Sequence, residues 1–238
     1  MARHLLRRGR RSRPLLAGIL GVALAAGLAV GLVAPAGAAT TPTLRIGMRG
    51  AAVQHLQQRL AQLHYDVGTV NGVFGSDTFH AVVAFQKVNG LARDGVVGPM
   101  TSGRLAHPAV PRLRAPRAGT YVEIDLTRQV LVLARGSAIV KIVDVSSGSG
   151  RLYTVDGRTA RAVTPTGHFR VYWKINAWRT SKLGKLWRPA YFTGGFAIHG
   201  SYSVPSFPAS HGCVRVTIAV MNRLYNQLPI GTPVFVFH

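Results

Sequence analysis

Between residues 44 and 106, apolar residues recur with the period of an α-helix. Four of them are spaced by three, four and three positions, which places them on one helical face: Val53, Leu56, Leu60 and Leu63. A second helical pattern follows the glycine-rich segment 71–78, where Ser76 or Asp77 is a candidate N-cap. Pro99 predicts the first turn of a short third helix that ends near Leu105. This part of the chain is therefore predicted to form a small three-helix bundle.

From residue 119 onward, the apolar residues follow the period of a β-strand instead. Alternation and branched side chains predict strands at residues 121–126, 129–133, 138–145, 168–174 and 231–237. Thr217 is a candidate N-cap for a helix that runs to about Leu228. The segment 176–192 shows neither period and is predicted to be a loop. These elements predict a mostly antiparallel β-sandwich or barrel-like domain with a C-terminal helix.

Residues 107–118 separate the two patterns. Three prolines and three arginines fall in this stretch, which predicts an extended linker that packs no core. The fold class expected from the sequence is thus α+β multidomain. The helical bundle occupies residues 44–106, the linker residues 107–118 and the β-rich domain residues 119–238.

The first 39 residues have the character of a targeting segment. Six arginines precede Pro14, a 20-residue apolar run extends from Leu15 to Ala34, and small residues near Ala38 suit a cleavage site. A run of this length is also long enough to span a bilayer. We expect residues 1–39 to be a secretory signal or a retained membrane anchor, with the remainder outside the cell in both cases.

Positive charge dominates the composition. The formal net charge is +22, and without the six N-terminal arginines it is still 29 − 6 − 7 = +16. Such a field favours polyanions, which include anionic cell-wall polymers, phospholipid headgroups and nucleic acid. No nucleic-acid-binding signature accompanies the charge, so nucleic acid is not expected as a partner. The chain is expected to be a monomer.

Cys213 is the only cysteine in the chain. In an exported protein, structural cysteines come in disulfide pairs, so an unpaired thiol needs another explanation. His199 precedes Cys213 by 14 positions and His211 precedes it by two. A thiolate nucleophile needs a base, a group that orients the base and backbone N–H groups that hold an oxyanion. The segment 198–215 can supply all three, which favours catalysis.

A metal site is the alternative interpretation of the same side chains. His199, His211 and Cys213 are all potential zinc ligands. Structural zinc sites generally use four ligands in short paired spacings, and this chain has no such pairs. We therefore expect neither a metal nor an organic cofactor.

The residues His199-Gly200 and the run SHGCVR at 210–215 resemble the signature of the L,D-transpeptidases, the YkuD-type catalytic domain of peptidoglycan cross-linking enzymes. The resemblance implies that Cys213 is the nucleophile and that His199 accepts and donates the proton. It also implies that the Gly200 carbonyl orients His199. The oxyanion region would be formed by His211, Gly212 and the Cys213 backbone.

Three further residues are expected to bind substrate or shape its groove. Arg215 matches a family position near the bound substrate, Ser210 belongs to the same motif, and Tyr191 is expected to be a wall of the groove. Ser210 is expected to hydrogen-bond within the loop rather than to act as a nucleophile. For His211, a catalytic role and a purely structural one both remain open.

The helical segment carries a second resemblance. Three stretches together resemble the peptidoglycan-binding type 1 domain: LRIGMRGAAVQHLQQRL, NGVFGSDTFHAVVAFQKVNGL and DGVVGPMT. Most of the matching positions are core and turn positions, so they identify the fold better than a ligand site. The resemblance implies peptidoglycan stem peptides and glycan as partners, and a location in the cell wall or extracellular space.

The reaction implied by the family is a two-step acyl transfer. An imidazolium–thiolate pair of His199 and Cys213 would attack a tetrapeptide stem, release its terminal D-amino acid and pass the acyl group to an amine as a 3→3 cross-link. Two alternatives stay open at this point. One is an L,D-carboxypeptidase that uses water as the acceptor, and the other is a non-enzymatic wall-binding protein.

Overall fold

The computed structural model describes residues 42–238, so the expected targeting segment at 1–39 lies outside the described residues. The described residues, 42–238, form one compact unit. Three helices build its N-terminal part: α1 (Ala51–Gln62), α2 (Ser76–Val88) and α3 (Pro99–Ala106). Within residues 42–238, every helix is too short or too polar to cross a membrane.

The predicted helices form, but the N-cap assigned to the second one is wrong. The N-cap of α2 is Gly75, and no side chain caps the helix. The Asp77 carboxylate instead accepts a hydrogen bond from the Arg223 guanidinium at 3.0 Å. A tertiary ion pair has therefore replaced the local capping bond that the sequence suggested.

The bundle contains an internal duplication that is visible in the sequence only after the structure is known. Residues 71–78 and 94–101 both follow the pattern Asn/Asp-Gly-Val-x-Gly-x-x-Thr. In each copy, one buried glutamine amide donates to the first side chain, the valine carbonyl and the threonine hydroxyl of the loop, at 2.7–3.3 Å. The two glutamines are Gln57 and Gln86. Both loops are thus fixed by the same polar contact.

The rest of the described chain is built from strands and one further helix, α4 (Ile218–Leu224), which continues into a 3₁₀ turn. Thr217 caps α4 by accepting a hydrogen bond from the Val220 amide, which confirms the predicted cap. The strands are β1 (Arg117–Asp125), β2 (Val130–Gly136), β3 (Ala138–Asp144), β4 (Leu152–Val155), β5 (Arg158–Arg161), β6 (Gly167–Arg170), β7 (Trp173–Lys174), β8 (Trp178–Ser181), β9 (Gly184–Thr193), β10 (Phe196–Ser201), β11 (Val214–Thr217) and β12 (Pro233–Phe237).

These strands form two five-stranded sheets and one separate hairpin. The first sheet has the order β3-β2-β1-β12-β6, and the second has the order β11-β10-β9-β7 with β8 paired to β9. Only the β1–β12 and β10–β11 pairs are parallel in these sheets. Strands β4 and β5 pair with each other alone. The predicted fold class, a helical region followed by a mostly antiparallel β-sandwich with a C-terminal helix, is confirmed.

Two details of the strand prediction are wrong. The segment 176–192, expected to be a loop, forms the hairpin of β8 and β9. All four residues of β8 are exposed, so the segment lacks the apolar alternation that marks a half-buried strand. The predicted strand 168–174 is two strands, because the chain leaves the first sheet after Arg170 and joins the second at Trp173.

The main core lies between the two sheets and under α4. Val122 and Leu131 of the first sheet pack with Ile198 and Val214 of the second and with Met221 of α4. All five side chains are fully buried. This core fixes β10 and β11, the two strands that flank the cysteine, with respect to each other.

The opposite face of the first sheet is covered by the helical bundle. Val130, Val132 and Ile142 from β2 and β3 belong to the same apolar cluster as Leu60 and Phe85 of the helices. The backbone also continues the sheet, since Ile142 exchanges hydrogen bonds with His64 and Asp66 at 2.8 and 3.1 Å. The bundle and the sandwich therefore share a hydrophobic core.

A buried ion pair lies at this junction. Lys87 of α2 has a fully buried side chain whose ammonium group contacts the Asp144 carboxylate and donates to the carbonyls of Gln129 and Val145 at 3.0 and 2.8 Å. His80 contacts the same carboxylate at 2.6 Å. Each ionic group thus has several partners, as a charge removed from water requires.

The segment between bundle and sandwich has no regular structure from Pro108 to Pro116, as expected of a linker. The expectation that it packs no core is wrong. Leu113 packs against the apolar clusters on both sides. The buried Glu123 carboxylate also accepts hydrogen bonds from the amides of Arg114 and Ala115 at 2.8–3.0 Å. The linker is therefore bound to the first sheet at residues 113–115.

Candidate active site

A cavity of about 580 Å³ opens beside β10 and β11. Six of the eight predicted site residues line it: Cys213, His199, His211, Ser210, Arg215 and Tyr191. The other two, Gly200 and Gly212, are buried and contribute backbone atoms to the site. The structure thus brings together residues from β9, β10, β11 and the loop before β11.

Two hairpins form the sides of the cavity. Residues 153–156 come from the β4–β5 hairpin and residues 181–186 from the β8–β9 hairpin. Lys182 joins the hairpins through an ion pair with Asp156 at 2.6 Å, and both side chains are more than half exposed. An exposed pair of this kind contributes little to stability, so its main effect is on the position of the hairpins. The segment 176–192, which was expected to be a loop, therefore forms a β-hairpin that contacts a second hairpin beside the cavity.

His199 is held in one tautomer by its own neighbour. It lies on β10, is 4% exposed, and its Nδ1 is 2.9 Å from the Gly200 carbonyl oxygen. A carbonyl oxygen only accepts, so Nδ1 carries the proton and Nε2 is free to accept one. Burial lowers the pKa of His199 to about 4, the Gly200 bond opposes this, and Arg215 lowers the pKa further. His199 is therefore a neutral base at physiological pH.

Cys213 is half-buried, and its thiol donates to the Gly195 carbonyl at 3.7 Å. Burial raises the pKa of this thiol, while the Ala197 amide and the Arg215 guanidinium act in the opposite direction. Burial disfavours the charged form of both groups. The imidazolium–thiolate pair expected from the sequence stays a prediction.

The loop that carries the cysteine is fixed by two hydroxyl groups. Ser210 Oγ donates to the Cys213 carbonyl at 2.5 Å and accepts from the Gly212 amide at 2.9 Å. Thr164 Oγ1 donates to the Gly212 carbonyl at 2.7 Å. Since the Gly212 amide is already bonded, it has to change partner before it can stabilise an oxyanion.

Gly212 is required at its position on steric grounds. Its φ of 129° belongs to the region that side chains rarely adopt. A Cβ atom there would lie 2.4 Å from the Phe196 ring and 2.8 Å from the Val163 carbonyl oxygen. Gly200 is packed as closely, since a Cβ atom would lie 2.9 Å from the Trp187 ring. Both glycines allow the backbone of the site to approach its neighbours.

A second loop supports the first from behind. The Ser147 carbonyl accepts from the amides of Ala209 and Ser210 at 3.0 and 2.9 Å, and the Ser149 amide donates to the Ser210 carbonyl at 2.9 Å. Ser146 exchanges two backbone bonds of 3.0 Å with Arg215. This supporting loop begins two residues after Asp144, so the buried Lys87–Asp144 pair lies next to it in the chain.

The remaining predicted residues are placed by aromatic and strand contacts. His211 packs edge-on against Tyr153 with 4.9 Å between ring centroids. Tyr191 of β9 is 7% exposed and stacks on Trp173 at 4.8 Å. Arg215 lies on β11, half-buried in the cavity wall. The contact with Tyr153 supports a structural contribution of His211, namely to the position of the β4–β5 hairpin.

The sequence interpretation missed two residues of the site. Thr164 was not singled out, although its buried hydroxyl holds the cysteine loop. The sequence TPTG at 164–167 is typical of a turn and was the available signal for this residue. Tyr153 was not singled out, because the short strands β4 and β5 are mostly exposed and show no apolar pattern.

The fold and the cavity together define a class: a β-sandwich with a histidine–cysteine site at the end of its second sheet. Comparison with known proteins agrees with this class. Residues 119–236 match the L,D-transpeptidase catalytic domain, and residues 49–105 match a peptidoglycan binding domain. The chain belongs to the L,D-transpeptidase family.

Solved structures support the assignment. An L,D-transpeptidase from Xylanimonas cellulosilytica is 46% identical and has a TM-score of 0.78, with coverage of 82% of this chain and 97% of that one. An L,D-transpeptidase from Stackebrandtia nassauensis is 26% identical with a TM-score of 0.50, with coverage of 84% and 96%. The similarity thus extends over both the helical bundle and the sandwich.

Curated relatives include cell-wall amidases. A protein named "Probable N-acetylmuramoyl-L-alanine amidase" from Bacillus licheniformis is 35% identical over 160 residues, which are 66% of this chain and 42% of that protein. The amidase CwlM of Mycobacterium tuberculosis is 44% identical over 52 residues, which are 22% of this chain and 13% of that protein. The chain therefore spans less than half the length of each of these two relatives.

Proposed function

We propose that this protein forms 3→3 peptidoglycan cross-links through a thioester on Cys213. The observation that carries the proposal is the placement of the Cys213 thiol and the His199 ring in one cavity, with the Gly200 carbonyl selecting the tautomer whose Nε2 accepts a proton. A nucleophile, a base and a group that orients the base are the parts that covalent acyl transfer requires.

The first half-reaction cleaves the stem. Cys213 Sγ attacks the carbonyl carbon that precedes the terminal D-amino acid of a tetrapeptide, and His199 Nε2 takes the thiol proton as the S–C bond forms. In the proposal, the backbone amides of Gly212 and Cys213 stabilise the oxyanion after the Gly212 amide has left Ser210 Oγ. When the C–N bond breaks, protonated His199 gives its proton to the leaving amine. The product is a thioester and a free D-amino acid.

The second half-reaction forms the cross-link. The side-chain amine of a diamino acid in another stem attacks the thioester carbon, and His199 accepts the proton that this amine loses. Collapse of the tetrahedral intermediate breaks the C–S bond and returns the proton to Cys213. The acyl group is then joined to nitrogen, and the site is restored without a cofactor.

The electrostatics of the cavity support an acidic substrate. Arg215, Lys182 and Lys185 all line it, whereas Asp156 is the single carboxylate among its lining residues and is already paired with Lys182. A stem peptide carries a terminal carboxylate that this positive field attracts. The same field, together with the net charge of the chain, supports anionic wall polymers as further partners.

The proposed location of the protein is the cell wall or the extracellular space, where the substrate lies. The match of residues 49–105 to a peptidoglycan binding domain supports this location, as does the arginine-rich, apolar N-terminus. In the proposal, the bundle holds the glycan and the sandwich acts on the stem peptides.

The direct test is the product of a purified chain that lacks residues 1–39. Incubated with disaccharide-tetrapeptide, it is expected to yield a dimer that has lost one terminal D-amino acid, and tandem mass spectrometry is expected to locate the new bond between two diamino acids. A product consisting only of monomeric tripeptide would assign water as the acceptor and would overturn the proposal.

The burial of His199 predicts an acid-tolerant enzyme. Its base form is the active one, and its pKa of about 4 keeps it neutral well below the ordinary histidine value. We expect kcat/KM to hold constant from neutral pH down to about pH 5 and to fall tenfold per unit below about pH 4. Replacement of Arg215 by glutamine should raise this limit, because the guanidinium lowers the pKa of His199. A limit near 6.5 in the wild type, which is the ordinary histidine value, would contradict the lowered pKa of His199.

A further inference from the structure

A second cavity, of about 440 Å³, lies where the helical bundle meets the sandwich. The first turn of α2 contributes Ser76 and Asp77 on one side, and the loop after β10 contributes Ser201 and Tyr202 on the other. Its volume falls in the roughly 300–1,000 Å³ range of small-ligand sites. We call it the junction groove. It is a composite of both parts of the chain.

An exposed aromatic surface borders the junction groove. Tyr202 is 87% exposed, the most of any large apolar or aromatic side chain among the described residues. Its ring nevertheless has a fixed orientation, since it stacks on Trp178 at 5.5 Å and 25°. Trp178 in turn contacts Trp187, whose indole N–H donates to Asn222 at 2.7 Å. An ordered, solvent-facing ring of this kind is typical of a surface that stacks on a ligand.

The junction groove and the active-site cavity are adjacent. Ser201 lines both of them, and its neighbour Tyr202 belongs to the groove while Ser203 belongs to the cavity. A ligand that occupied both would therefore cross the loop 201–203. The covalent unit that fits this arrangement is a sugar with a peptide attached to it.

The bundle side of the groove is fixed with respect to the catalytic side. Arg223 of α4 bonds both Asp66 and Asp77 of the bundle at 3.0 Å. Of the two Asp77 oxygens, only Oδ2 is bonded within residues 42–238, and the side chain is 29% exposed. The other oxygen is an acceptor for ligand hydroxyl groups.

We infer that the junction groove binds a sugar of the glycan strand, stacked on Tyr202 and hydrogen-bonded to Asp77, while the attached stem peptide reaches Cys213. This inference rests on the proposed function, because it takes the glycan of the same substrate as the occupant. It adds that the glycan site is built by both parts of the chain and that it adjoins the catalytic cavity. The bundle alone would offer half of the site.

The test measures glycan binding separately from catalysis. Peptide-free glycan chains, prepared by amidase digestion of sacculi, are titrated against the 40–238 chain in a calorimeter. Wild type and Cys213→Ala are expected to bind equally well. Tyr202→Ala should bind about tenfold more weakly. Tyr202→Phe should bind like wild type because it keeps the ring. Ile230→Ala is the matched control, since Ile230 is 66% exposed and lines neither cavity.

The outcomes separate this inference from the proposed function. Equal binding by Tyr202→Ala and wild type, or no glycan binding by wild type, would overturn the inference even if the enzyme cross-links stem peptides. Tyr202-dependent binding by a protein that forms no cross-links would support the groove and refute the proposed reaction. A loss of binding in Ile230→Ala as large as in Tyr202→Ala would also count against the groove, because the effect would not be local.

Discussion

We expect Cys213→Ala to abolish the proposed cross-link formation and to leave the fold intact. The substitution removes one half-buried sulfur atom that contacts a small apolar cluster, so the core loses little. The reaction loses its only thiol nucleophile. Loss of a nucleophile in comparable hydrolases lowers kcat by roughly 10⁴-fold or more. Dimer formation from disaccharide-tetrapeptide measures the activity, and thermal melting checks the fold.

Intact-mass spectrometry provides the accompanying control. Wild type incubated with tetrapeptide and no acceptor is expected to carry an acyl adduct, while Cys213→Ala should carry none. Ile230→Ala, altered at a surface residue remote from the cavity lining, should retain the adduct. Cross-linking by Cys213→Ala at the wild-type rate would remove the cysteine from the mechanism.

Lys87→Ala has the largest expected effect on stability. The variant leaves the Asp144 carboxylate buried without its ammonium partner and removes the hydrogen bonds that Lys87 donates to the Gln129 and Val145 carbonyls. Breaking a buried ion pair by removing one partner costs about 3–5 kcal/mol. Urea unfolding followed by fluorescence measures the free energy of unfolding. Burial lowers the pKa of Lys87, and the Asp144 carboxylate opposes this shift.

Two matched variants separate the effect of burial on the free energy of unfolding from the effect of charge. Lys182→Ala breaks the exposed pair with Asp156 and is expected to cost less than about 1 kcal/mol. Lys87→Met combined with Asp144→Asn removes both charges and should recover part of the loss. A cost below 1 kcal/mol for Lys87→Ala would show that the junction does not depend on this pair.

The sequence correctly predicted the elements that depend on residues close together in the chain. The α1 stripe, the β2–β3 hairpin and the Thr217 cap all follow from short-range periodicity or hydrogen bonding, and all are present. The failures have non-local causes. Asp77 does not cap α2 because Arg223, 146 positions away, binds its carboxylate. The exposed hairpin β8–β9 has no apolar alternation to detect.

Within the candidate site, the grouping of residues was easier to predict than their supports. The family signature at 198–215 predicted one site, and the structure places Cys213 and His199 beside one cavity. The burial that shifts the pKa values of both groups cannot be deduced from their spacing. The role of Thr164 was not predicted, because this residue lies 48 positions from Gly212, to whose carbonyl it donates a hydrogen bond. The bond forms only when the chain has folded.

The sequence of β2 contained evidence for the shared core that the sequence interpretation did not use. The first five residues of β2, VLVLA, are all apolar, and a strand segment of this kind is buried on both faces. A sandwich alone covers one face of its outer sheet. Val130 and Val132 therefore pointed to a second covering layer, which the helical bundle provides.

This common core means that the bundle cannot be exchanged like an ordinary binding module. Removal of the bundle by a cut in the 107–118 segment would expose an apolar sheet face formed by Val130, Val132 and Ile142. It would also leave the Asp144 carboxylate without its lysine partner. A replacement domain would need a lysine that pairs with Asp144 and apolar side chains that cover this sheet face. The two parts of the chain therefore depend on each other, and a substitution on one side of the shared core requires a matching one on the other side.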